Sequence, residues 1–136
     1  MAAEAKKIFL VDAMGLIFRA FHAPMERLRS PSGLPTKVPY LFTHMLRRLV
    51  KEYQPDYLGV VFDVAWPTFR DKLFADYKAQ RPPMPEDLAQ QLPYVRRVCE
   101  AMRLPVLEYQ GYEADDVIGA LARQGAAKKL EVVIVT

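Results

Sequence analysis

At 136 residues, 51% hydrophobic and 26% charged, the chain has room for one domain with a core of its own. Only six glycines and the high apolar content exclude collagen-like, coiled-coil and wholly disordered classes, and no apolar run approaches the roughly 18–20 residues that span a bilayer. The lone Cys99 excludes an internal disulfide or a cysteine metal cluster. With no secretory pattern in residues 1–7, it sets the expectation of a reducing, cytoplasmic setting and no membrane partner, while the net charge of +3 leans toward an anionic partner.

Taken in chain order, Lys7-Ile-Phe-Leu-Val11 is a short apolar run that predicts a strand buried on both faces. Residues 29–36 read as a loop. Val38 to Tyr53 then predicts a helix with Leu41, Met45, Leu46, Leu49 and Val50 on one face. Tyr57 to Phe62 is a second strand. Residues 79–85 form another Pro-rich loop, and Asp87 to Met102 a helix that Pro93 kinks or splits. Pro105 to Tyr109 is a weaker third strand. Glu113 to Arg123 is a helix with Gly125 as its C-cap, and Glu131 to Val135 is a fourth strand. Strands alternating with helices predict an α/β domain with a mainly parallel sheet flanked by helices. Phe18, Phe21, Phe69, Phe74, Met14, Met25, Met45 and Met102 read as packing residues, and Cys99 as a buried, inert thiol.

Three of the four strands are followed by acid: Asp12, then Asp63, then Glu113-Ala114-Asp115-Asp116 at the start of a helix. A parallel sheet gathers the carboxyl ends of its strands on one edge, where ligands bind. The five carboxylates are therefore expected to converge there, and like charges a few ångströms apart call for cations. Oxygen-only donors favour Mg²⁺ or Mn²⁺ over Zn²⁺, and His22 and His44 lie outside these motifs. A second reading stays open for each acid. A strand-end Asp also serves as a turn residue or N-cap, and acids in a first helical turn suit the helix dipole.

Basic and aromatic residues stand among the acids: Arg19, Phe69-Arg70-Asp71-Lys72 and Tyr77-Lys78-Ala79-Gln80-Arg81. Metal-holding acids beside Lys and Arg suit a phosphodiester substrate, and Tyr77 suits stacking on an unpaired base. Taken singly, each basic residue also fits a solvated helix face.

Val11-Asp12, Phe18 to Ala23, Val61-Phe62-Asp63 with Pro67 to Arg70, Tyr77 to Arg81 and Gly111-Tyr-Glu-Ala-Asp-Asp116 together resemble the 5′→3′ exonuclease domain of bacterial DNA polymerase I. That domain is a member of the flap endonuclease family with a PIN-like, resolvase-like core, and the motifs run in order from about residue 7 to residue 136. The resemblance implies that Asp12, Asp63, Glu113, Asp115 and Asp116 are carboxylates of a site for two Mg²⁺ or Mn²⁺ ions. It implies that Lys78 and Arg81 contact the scissile phosphate at the base of a helical arch, an insertion at about 70–100. It places Arg19 and Arg70 on the substrate backbone and Tyr77 beside the unpaired end. The implied partner is DNA with 5′ ends or 5′ flaps, with a polymerase domain possible in the same parent chain and a nucleoid-associated location.

The stretch Val38-Pro39-Tyr40-Leu41-Phe42 departs from the family's usual Gly before Phe, and Asp12-Ala13-Met14-Gly15 lacks its more polar residues. In the family, a further Asp-containing motif and a helix–hairpin–helix-like region follow the strand matched by 131–135. The expectation is accordingly that residues 1–136 are the N-terminal, truncated portion of one nuclease domain, and that alone it holds metal poorly and cuts little. Two other classes are carried forward: a PIN-like ribonuclease, and a non-catalytic DNA-binding fragment.

Overall fold

The structure is a computed structural model that describes residues 4–64, 73 and 84–136. Its elements are β1 (Lys7–Asp12), α1 (Ala13–His22), α2 (Lys37–Tyr53), β2 (Tyr57–Val61), α3 (Glu86–Ala89), α4 (Leu92–Ala101), β3 (Val106–Leu107), α5 (Ala114–Ala127) and β4 (Glu131–Val135). The four strands form one parallel sheet in the order β3-β2-β1-β4. β1 lies in the middle, with Ile8 to Asp12 opposite Tyr57 to Val61 and Lys7 to Val11 opposite Glu131 to Val135.

The strand period of two divides β1 between two cores. Phe9 and Val11 face α1, α2, α3 and α4, where Leu16, Ile17, Phe42, Leu46, Leu88, Val95 and Cys99 are buried. Leu10 faces α5, where it meets Val117 and Ile118. This is why the first apolar run has no polar alternation: helices cover both sides. β3 is shorter than its apolar run because Pro105 offers no N–H to the ladder; its carbonyl still accepts from the Val60 N–H at 2.9 Å.

Several details correct the sequence reading. The buried line of α2 is Val38, Phe42, Leu46 and Leu49, while Val50 is exposed. The stripe is rotated because α2 packs against both α1 and α4. Pro93 splits the expected helix as anticipated, sitting at the second position of α4, where a missing N–H costs nothing. Gly125 is not a C-cap. It is buried inside α5, which runs on to Ala127. Phe18 and Met25 are exposed and not core. α3 and α4 fall within the 70–100 stretch, and Leu88, Val95 and Cys99 are fully buried in the core.

Two contacts between distant segments set the layer of helices. Gln91 is a buried polar side chain that accepts from the Val38 N–H at 2.8 Å and donates to the Asp87 carbonyl at 2.8 Å. It thereby satisfies an orphan amide at the start of α2. Lys37 Nζ donates to the carbonyls of Phe21 and Ala23 at 3.1 and 2.6 Å, placing a cation on the negative end of α1. No helix among the described residues is long and apolar enough to cross a membrane.

Candidate active site

The carboxyl ends of β1 and β2 lie side by side. Asp12 is the last residue of β1, in register with Val61, and Asp63 follows two residues after Val61. The start of α5 reaches the same edge, because Asp63 Oδ1 accepts from the Ala114 N–H at 2.8 Å. Gly111, with φ of +90°, makes the left-handed turn that aims the chain into α5. The three acidic motifs, distant in sequence, thus meet on one edge.

What their oxygens do differs from residue to residue. Asp12 stands at the N-cap position of α1 but caps nothing; its Oδ2 accepts instead from the Thr136 hydroxyl at 3.0 Å. Asp63 holds the first amide of α5 with Oδ1. Glu113 and Asp116 form a capping box, Asp116 Oδ2 accepting from the Glu113 N–H at 3.0 Å. Asp115 is an exposed acid in the same first turn. Four carboxylates therefore surround the positive end of α5, whose dipole offsets part of their mutual repulsion.

Among the described residues no three Asp, Glu, His or Cys side chains stand at metal-holding distance. Backbone amides engage Asp63 and Asp116, and the Thr136 hydroxyl engages Asp12. For Asp12 and Asp63, the protein anchors one oxygen and leaves the other without a donor among the described residues. Hard, oxygen-only donors of this kind suit Mg²⁺ or Mn²⁺.

Below Asp63, Phe62 lies under the Arg96 guanidinium, 5.2 Å from ring centre to Cζ. Arg96 makes a two-pronged ion pair with Glu108, one contact at 3.0 Å, and that carboxylate raises the Arg96 pKa. Arg19 is exposed at the end of β4, its Nη2 donating to the Thr136 carbonyl at 2.6 Å. Arg70, Tyr77, Lys78 and Arg81 lie outside the described residues, as do Phe69 and Phe74. The sequence reading missed Thr136 and Gly15, which flank Asp12; the only signal was a hydroxyl residue closing a strand run.

A parallel sheet with acids gathered at its carboxyl edge and helices on both faces defines a resolvase-like α/β domain. The family model described as the 5′-3′ exonuclease, N-terminal resolvase-like domain matches residues 7–136, and the chain belongs to that family. It is 46% identical over 129 residues to a DNA polymerase I of Pseudomonas aeruginosa, covering 95% of this chain and 14% of that one. It is 40% identical over 129 residues to a 5′-3′ exonuclease of Aquifex aeolicus, covering 95% and 44%. The chain thus spans about a seventh of the polymerase relative and under half of the exonuclease. Among solved structures, the T5 5′-exonuclease with bound zinc ions is similar with a TM-score of 0.64 at 21% identity, covering 95% of this chain and 48% of that one. A bacteriophage T5 flap endonuclease in complex with DNA and metal ions gives a TM-score of 0.65 at 19% identity, with the same coverage. These likenesses carry the fold.

Proposed function

We propose that this chain is the N-terminal part of a nuclease domain that hydrolyses DNA phosphodiesters from 5′ ends and at 5′ flaps, as in primer removal and repair. Family membership supports the reaction class, and the partial coverage of the relatives named above supports a longer parent, of either the polymerase or the separate exonuclease kind. The observation that carries the reading is the pairing of Asp12 and Asp63 on neighbouring strand ends, each with one oxygen anchored and the other without a donor among the described residues.

In this reading Asp12, Asp63, Glu113, Asp115 and Asp116 hold two Mg²⁺ or Mn²⁺ ions. Bound there, divalent ions would neutralise the scissile phosphate and activate water. The chain's own contribution is placement. β1 and β2 fix the two aspartates, and the α5 dipole lets three further carboxylates share one edge. Lys78 and Arg81 are assigned to the scissile phosphate, Arg19 and Arg70 to the substrate backbone, and Tyr77 to the unpaired base, all by resemblance.

The test separates chemistry from capping at Asp63 in the intact parent protein. Asp63→Asn keeps an oxygen acceptor for the Ala114 N–H and removes the charge. Cleavage of a 5′-flapped duplex in Mg²⁺ should fall by more than roughly 100-fold, beyond the loss typical of an outer-sphere partner, while DNA binding persists. Cleavage by Asp63→Asn at the wild-type rate would refute the assignment. Faster cleavage of single-stranded RNA than of flapped DNA by the wild type would point to a ribonuclease.

A further inference from the structure

Among the described residues the Asp12 carboxylate has one hydrogen-bond partner, the Thr136 hydroxyl donating to Oδ2 at 3.0 Å across 124 positions of sequence. The register explains the meeting. Val11 lies opposite Val135, so the residues that close β1 and follow β4 come to rest side by side. Arg19 grips the Thr136 main chain through its carbonyl at 2.6 Å. Gly15 supplies the space. A Cβ built on it would stand 2.8 Å from Thr136 Oγ1, 3.1 Å from Asp12 Oδ2 and 3.3 Å from the Thr136 carbonyl carbon.

We propose that Thr136 is a positioning residue for Asp12: its hydroxyl holds Oδ2 and so presents Oδ1 to the cation. Gly15 admits the hydroxyl, and Arg19 clamps the strand end that carries it. The proposal rests on the metal-site reading above. The physical case is preorganisation. A carboxylate with one oxygen already fixed gives up less rotational freedom when the ion arrives, and partners of this kind typically govern metal affinity by about 10–100-fold. The direction of the bond matters too, since a hydroxyl that donates to one acid oxygen leaves the second oxygen for the cation.

The measurement is a Mn²⁺ titration of the ¹⁵N-labelled intact parent protein, read as paramagnetic broadening of the amide signals around Asp12, with the thermal midpoint recorded for each sample. Thr136→Ser keeps the hydroxyl and should titrate within about twofold of the wild type. Thr136→Val keeps the shape but not the donor, and Gly15→Ala pushes the hydroxyl away; each should need roughly 10-fold more Mn²⁺ for equal broadening. A Thr136→Val midpoint equal to the wild type overturns the proposal alone. So does a variant set that shifts the thermal midpoint and leaves the Mn²⁺ midpoint unmoved, because that is the mark of a purely structural threonine. No broadening around Asp12 in the wild-type parent protein overturns the metal-site reading and this proposal with it.

Discussion

A carboxylate has two oxygens, and at this edge the fold spends them one at a time. Asp63 gives Oδ1 to the first amide of α5, an interaction equivalent to a helix cap supplied from another strand. Its removal therefore has a stability cost separate from any cost to activity. Asp63→Ala should lower the unfolding free energy by about 1 kcal/mol, and Asp63→Asn by less than half of that, measured by urea denaturation; equal losses would mean that the cap does not matter. The positions of Asp12 and Asp63 were legible in the sequence because an apolar run closed by an acid is a local pattern. Their partners were not. The Ala114 amide is 51 residues from Asp63, and the Thr136 hydroxyl is 124 from Asp12. The capping box of Glu113 and Asp116 was legible only as one of two readings, since the same spacing serves a cap or a metal.

At the scale of elements, α5 shows why glycine misled. Gly119 and Gly125 look alike in sequence, yet a Cβ on Gly119 meets nothing within 4 Å, whereas on Gly125 it lies 3.1 Å from Val132 and 3.5 Å from Ile8. Gly125 is where the helix backbone crosses β1 and β4, and the close approach is its purpose. Gly119→Ala should raise stability by about 0.5–1 kcal/mol through helix propensity. Gly125→Val should lower it by about 1–3 kcal/mol through overpacking. Chemical denaturation of both variants checks the pair, and shifts of the same sign would contradict it. The helices end without glycine: Gln54, Arg103 and Lys129 all take positive φ just beyond α2, α4 and α5. Those stops carry no composition signal, so the helix ends were less legible than the strands. The parallel sheet itself was legible, because four apolar runs separated by helical periodicity leave few other topologies.

Across the whole molecule, Cys99 is a reporter of global opening. It is fully buried against the face of the sheet that α1, α2 and α4 share, and burial pushes its thiol up to about 11. The folded state therefore keeps a proton that the unfolded chain begins to lose near pH 9. The resulting stabilisation is complete below that pH and is lost as the pH rises toward 11. At pH 7 a disulfide reagent should label Cys99 only after denaturation, and between pH 9 and 11 the wild type should lose stability more steeply than Cys99→Ala. Labelling of the native protein in seconds would show that the core opens locally. The sheet order has a consequence in time. β1 is made first and sits in the middle, but one of its two neighbours, β4, is made more than a hundred residues later. Until residues 131–135 emerge from the ribosome, the central strand has one edge unpaired, and every earlier segment can only assemble around an incomplete sheet. The acid at the end of that strand is thus the first candidate ligand to be synthesised, and its partner on the β4 side is made only after all the other candidate ligands.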